Sequence, residues 1–171
     1  ACIEHFRAID VDKNLSLDPV ALQAAITADR EAGLTPLIVT SCLGTTGTAA
    51  IDPIAAIAKI TSDEGLWHHV DAAYGGSAMI CPEQRHLQEG AATADSFTFN
   101  PHKWMFTNFD CNVLYVADRT SLIDAMSITP PYLKNAASES GKVIDYRDWQ
   151  VPLGRRFRAL KLWWVLRSYG A

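Results

Sequence analysis

Hydrophobic and polar positions alternate between two patterns along the chain. Residues 36–42 (PLIVTSC) form an unbroken apolar run, as in a strand buried on both faces. Shorter strand-like runs follow at 66–70, 95–99 and 111–117, and another precedes them at 4–9. Between them lie stretches with helix punctuation. In LDPVALQAAITADREAG, Asp18 is placed as an N-cap, Pro19 suits the first turn and Gly33 suits the stop. IDPIAAIAKITSDEG repeats the arrangement with Asp52, Pro53 and Gly65. Further helices are expected at 83–89, at 119–126 and over GRRFRALKLWWVLRSYG, whose first half is basic and second half aromatic. Alternation of apolar strands with helices predicts an α/β fold built on a mostly parallel sheet. The segment 127–149, with TPPYLKNAASESGK at its centre, is a long loop, and loops of that length commonly serve function.

The 171 residues suffice for one domain with a real core, and 49% hydrophobic with 20% charged residues is a globular composition. A net charge of −4 argues against a general binder of nucleic acid or anionic membrane. No apolar run approaches the ~20 residues of a membrane span. The first residues lack the basic region and apolar core of a signal peptide, and both ends read as cut from a longer chain. Cysteines at 2, 42, 81 and 111 show no CxxC spacing, so they read as reduced thiols in a cytoplasmic protein.

Candidate chemistry concentrates at strand ends. In open α/β sheets, ligands bind beyond the carboxyl ends of the strands. Thr46, Asp71 and Lys103 each follow a strand, at separations that fit successive crossover units. A lysine amine condenses with a carbonyl. Pyridoxal phosphate carries such a carbonyl on a pyridine ring, whose protonated nitrogen needs an anionic partner such as Asp71. The small residues AAYGGSA after Asp71 would permit close backbone approach. Plainer readings exist for each element. Asp71 could be a helix cap, Lys103 an exposed loop lysine and GTTGT a simple turn. His69 and Asp71 share a strand face and could form a metal pair serving a hydrolase, but no third ligand stands at a sensible spacing.

HVDAAYGGSAMICPE, DSFTFNPHKW, NFDCNVLYV and DWQVPLGRRFRALKLWW together resemble the group II pyridoxal-phosphate decarboxylases, in particular the aromatic L-amino-acid decarboxylase branch. The resemblance implies a fold type I enzyme, an intertwined homodimer whose active sites lie near the subunit interface, with pyridoxal 5'-phosphate as cofactor and an aromatic L-amino acid as substrate. It implies that Lys103 is the Schiff-base lysine and Asp71 the partner of the pyridine nitrogen. Thr46, Asn100 and His102 become cofactor contacts, and Tyr132 the tyrosine of a mobile catalytic loop within 127–149. Gly154 matches a substrate-pocket position where glycine leaves room for a large ring. Residues 1–153 become the later part of the cofactor-binding domain, and 154–171 a helix leading to a small C-terminal domain. The family's ring-stacking histidine and phosphate-holding segment are expected upstream; His5 does not match that histidine. Gly75 stands where alanine is common in the family, with little consequence expected. A relative that forms aldehydes is the nearest alternative, and Tyr132 argues against it because those enzymes usually carry phenylalanine there.

Overall fold

The structure is a computed structural model that describes residues 6–127, 140 and 143–170. Asp18 caps α1 (Pro19–Glu31) as its position suggests, its carboxylate accepting from the Val20 amide at 2.8 Å. The chain leaves α1 through Gly33 at φ +78°, a left-handed conformation that costs glycine little. α2 (Ile54–Glu64) stops in the same way on Gly65.

Asp52 does not cap α2, although its sequence context matches that of Asp18. Pro53 holds the cap position without a side-chain bond. The Asp52 carboxylate is buried and accepts from the Leu17 amide at 2.7 Å and the Cys42 amide at 2.6 Å. Two donors distant in sequence take the carboxylate from the local helix terminus, and it ties the start of α1 to the end of a strand.

Four strands, β1 (Ile38–Cys42), β2 (Trp67–Asp71), β3 (Ser96–Phe99) and β4 (Val113–Val116), form one sheet in that order. β1, β2 and β3 run parallel, and β4 pairs antiparallel with β3. Helices α1 and α2 cover one face. There Leu22, Ile26, Val39, Ile57 and Leu66 form one buried cluster, and Leu43, Ile54, Val70, Ala72 and Ala94 a second. Strand side chains alternate between faces. Because Val70 is in the core, Asp71 faces away from the helical layer.

Other boundaries move. Residues 6–10 form no strand, and Phe6 is exposed. The helix expected at 83–89 is a 3₁₀ helix over Pro82–Gln88. A four-residue helix, α3 (Pro101–Trp104), follows β3, and α4 (Arg119–Met126) is capped by Asp118. The last helix, α5 (Ala159–Tyr169), begins five residues later than its apolar pattern suggests. Most of the 127–149 loop, including Tyr132, lies outside the described residues.

Candidate active site

Register places the strand-end residues in a row. Cys42, Asp71 and Thr98 are partners across β1, β2 and β3, so their side chains share a face at the carboxyl end of the sheet. Backbone pairing continues past the strands: Leu43 N donates to Asp71 O at 2.9 Å, Ala72 N to Thr98 O at 2.9 Å and Asn100 N to Ala73 O at 3.1 Å. The half-buried Asp71 carboxylate accepts one hydrogen bond through Oδ1, from Ala73 N at 2.9 Å. Its Oδ2 takes no hydrogen bond from the described residues.

The small residues after Asp71 serve this placement, and the close approach they permit is to the protein's own strands. A Cβ on Gly75 would lie 2.2 Å from Leu43 O, and one on Gly76 would lie 2.6 Å from Phe99 Cβ. Gly75 therefore matters more than the sequence suggested: alanine there requires the backbone at Leu43 to move.

Asn100 ends β3 and opens α3, which carries Lys103 at its exposed end. Lys103 N donates to Asn100 O at 2.9 Å. The Asn100 side-chain oxygen accepts from Asn112 Nδ2, which leaves the Asn100 amide nitrogen free to face a ligand. His102 Nδ1 meets the backbone of Cys111, 2.7 Å from its carbonyl and 3.0 Å from its amide nitrogen. Only its Nε2 remains for an outside partner.

Electrostatics connect the acid and the amine. Burial pushes the Cys42 thiol up to about 11; the Asp71 and Asp52 carboxylates push the same way, and the Lys103 ammonium opposes them. The loops are also joined directly, since the Tyr74 and Trp104 rings stack with centroids 4.9 Å apart and planes 8° from parallel. Sequence reasoning missed this contact, and its only sign was an aromatic residue near each charged one.

Thr46 lies on the loop after β1, at the same end of the sheet. Thr45 and Thr48 bond to each other at 2.7 Å, and Thr45 also accepts from Ala50 N. Thr46 lies within that turn and is exposed, and its hydroxyl makes no hydrogen bond to the described residues, so it is available to a ligand. Gly154 sits in an exposed stretch, and a Cβ there would meet nothing within 4 Å. The structure does not bring it into the crevice. His69 is engaged with Ser96, Nδ1 to Oγ at 2.8 Å. Among the described residues no three His, Cys, Asp or Glu side chains group as metal ligands. No helix among them is long and apolar enough to cross a membrane. An apolar cavity of about 680 Å³ lies beside the crevice, lined by Leu43, Tyr74, Trp104, Phe106 and Tyr169 but by neither Asp71 nor Lys103. The convergent charged groups, not this cavity, mark the chemistry.

A free carboxylate and an amine at one sheet end, with hydroxyl, amide and imidazole groups nearby, suit a phosphorylated pyridine aldehyde. The pyridoxal-dependent decarboxylase conserved domain matches residues 2–171. The chain belongs to the pyridoxal-dependent decarboxylase family. It is 54% identical over 98% of its length to phenylacetaldehyde synthase of Arabidopsis thaliana, and 53% identical over 98% to tyrosine decarboxylase of Papaver somniferum. It spans about a third of those relatives, 35% and 33% of their lengths. The structure of Oryza sativa TDC with PLP and tryptamine superposes with a TM-score of 0.91 at 48% identity, over 96% of this chain and 34% of that one. Tryptophan decarboxylase of Catharanthus roseus in complex with L-tryptophan gives 0.83 at 39% identity, over 95% of this chain and 32% of that one. The fold is therefore that of the fold type I pyridoxal-phosphate decarboxylases.

Proposed function

We propose that this chain forms the cofactor-binding part of an enzyme that decarboxylates an aromatic L-amino acid to its amine, using pyridoxal 5'-phosphate. The observation that supports this reading is the position of Asp71 and Lys103 at the carboxyl end of the sheet, with Asp71 Oδ1 accepting from Ala73 N and Oδ2 taking no hydrogen bond from the described residues. Residues 1–153 belong to the cofactor-binding domain, and 154–171 lead toward a small C-terminal domain. The working form is a cytoplasmic homodimer.

Bound pyridoxal phosphate supplies a carbonyl for an amine and a ring that draws electrons from the substrate's α-carbon. The Lys103 amine would hold that carbonyl. The Asp71 carboxylate would accept from the ring N–H and keep the proton on the nitrogen through a charge-assisted bond. The Thr46 hydroxyl, the Asn100 amide and His102 Nε2 would orient the group from the neighbouring loops. Tyr132, which lies outside the described residues, would deliver a proton to the α-carbon once CO₂ has left, a role a phenol can fill.

Aldehyde formation is a second reading with its own support. Phenylacetaldehyde synthase matches at 54% identity and tyrosine decarboxylase of Papaver somniferum at 53%, so identity does not separate the two outcomes. The Tyr132 hydroxyl favours the amine. Supplied with tyrosine, DOPA, tryptophan or phenylalanine, the full-length protein is expected to release amine and CO₂ in equal amounts. Tyr132→Phe removes one oxygen and keeps the ring, so CO₂ release should persist while amine falls and, with dissolved O₂ as the two-electron oxidant and water consumed, aldehyde, ammonia and peroxide appear. Aldehyde as the main product of the unaltered protein would establish the second reading.

A further inference from the structure

The first turn of α5 breaks a local rule of helix construction. A helix N-terminus carries partial positive charge and favours acidic residues. Here the first turn has no acid, Arg158 is the N-cap, and Arg155, Arg156 and Lys161 flank it. Rule-breaking without a local benefit commonly marks a functional constraint. The benefit lies across the structure, on the loop between Lys103 and β4.

Three of these cations converge on residues 108–110. Arg158 grips the Asp110 carboxylate with two bonds, Nε to Oδ1 at 3.1 Å and Nη2 to Oδ2 at 2.9 Å. Arg156 Nη2 donates to the same Oδ1. Lys161 Nζ donates to Asn108 O at 2.7 Å and to Asp110 O at 2.6 Å. The guanidinium of Arg158, and then that of Arg156, hold the Asp110 carboxyl well below the usual carboxylate range.

The gripped loop in turn holds the lysine turn. Cys111, next to Asp110, pairs through its backbone with His102. Phe109 meets the His102 ring edge-on at 4.9 Å. Thr107 N donates to Pro101 O at 3.3 Å. α3 has only four residues, too few for a helix to hold its own shape. Its geometry must come from outside, and the 107–111 loop supplies it.

We propose that Asp110, held by Arg156, Arg158 and Lys161, is a positioning residue for Lys103, coupling the start of α5 to the cofactor-bearing turn. The inference rests on the reading of Lys103 given above. Its carboxylate is taken by Arg156 and Arg158, so it acts through Cys111 and His102.

The test uses the full-length protein. Asp110→Asn keeps the shape but removes the charge that Arg156 and Arg158 grip, and Asp110→Glu keeps the charge. Without cofactor, amide hydrogen exchange over 102–111 should quicken at least ~10-fold in Asp110→Asn, with β1 to β3 unchanged. With cofactor, borohydride should still fix the label on Lys103. A misplacement of about 1 Å can cost on the order of 10²-fold in rate, so kcat should fall by that order while KM stays within about twofold. Asp110→Glu should restore part of both effects. If Asp110→Asn does not accumulate as folded protein, Lys161→Met removes the two backbone bonds and carries the same readouts. Faster exchange with unchanged kcat would overturn the proposal and leave a merely structural role. Unchanged exchange would overturn it as well. A label on another lysine in the unaltered protein would refute the reading of Lys103 itself, a result distinct from either of these.

Discussion

Asp71 owes its placement to strand alternation, with Val70 turned into the core and the next residue turned out over the carboxyl end of the sheet. Its free Oδ2 suits a ring N–H, and only an anion keeps the proton there. Asp71→Asn preserves the shape and the bond to Ala73 but removes the charge. Breaking a charge pair in a closed site costs on the order of 3–5 kcal/mol. At ~1.4 kcal/mol per tenfold, the full-length protein should lose roughly 10²- to 4 × 10³-fold in kcat with the label still fixed on Lys103. Turnover like that of the unaltered protein in Asp71→Asn would show that another group controls the ring. At this scale much was legible in the sequence, because Asp71 and Lys103 each sit where a strand stops. The roles of Asp110 and Cys111 were not legible. Their partners lie on α5 and α3, and no local pattern announces a contact 48 residues away.

Between β1 and β2, the helix-covered face buries a polar pair. Ser41 Oγ and His68 Nε2 share a 2.8 Å hydrogen bond, and both residues are almost wholly buried. His68 Nδ1 has no hydrogen-bond partner among the described residues. Burial lowers the His68 pKa, Asp95 opposes this and His69 adds to it. Since the folded value lies below the unfolded ~6.5, the unfolded chain binds the proton more readily. This contribution to stability is present above about pH 6.5 and is lost as pH falls toward the folded value. Ser41→Ala alone should cost about 1–3 kcal/mol, because it leaves Nε2 unsatisfied as well. The Ser41→Ala/His68→Leu pair should cost far less than the sum of its single changes and should flatten the fall in melting temperature between about pH 7 and 5. Additive costs and an unchanged slope would contradict this. Elements themselves were largely legible, because apolar runs and cap residues act locally. Asp18 and Gly65 behave as read, whereas Asp52 does not, since its carboxylate finds buried amides that sequence proximity cannot show.

Across the whole molecule, three parallel strands bring their carboxyl ends to one edge. The end of β2 and the segments after β1 and β3 bring a carboxylate, a hydroxyl and an amine to that edge. The sequence disclosed this because each unit repeats a strand, a polar end and a helix. The antiparallel entry of β4 and the grip of α5 on the lysine loop were hidden, since both depend on where distant segments return. The central claim is that Lys103 holds the cofactor. Borohydride reduction of the full-length protein loaded with pyridoxal phosphate, followed by peptide mapping, tests it most directly. The account predicts one pyridoxyl label, on Lys103; a label on Lys13, Lys59, Lys161 or any other lysine, with Lys103 unmodified, would contradict it.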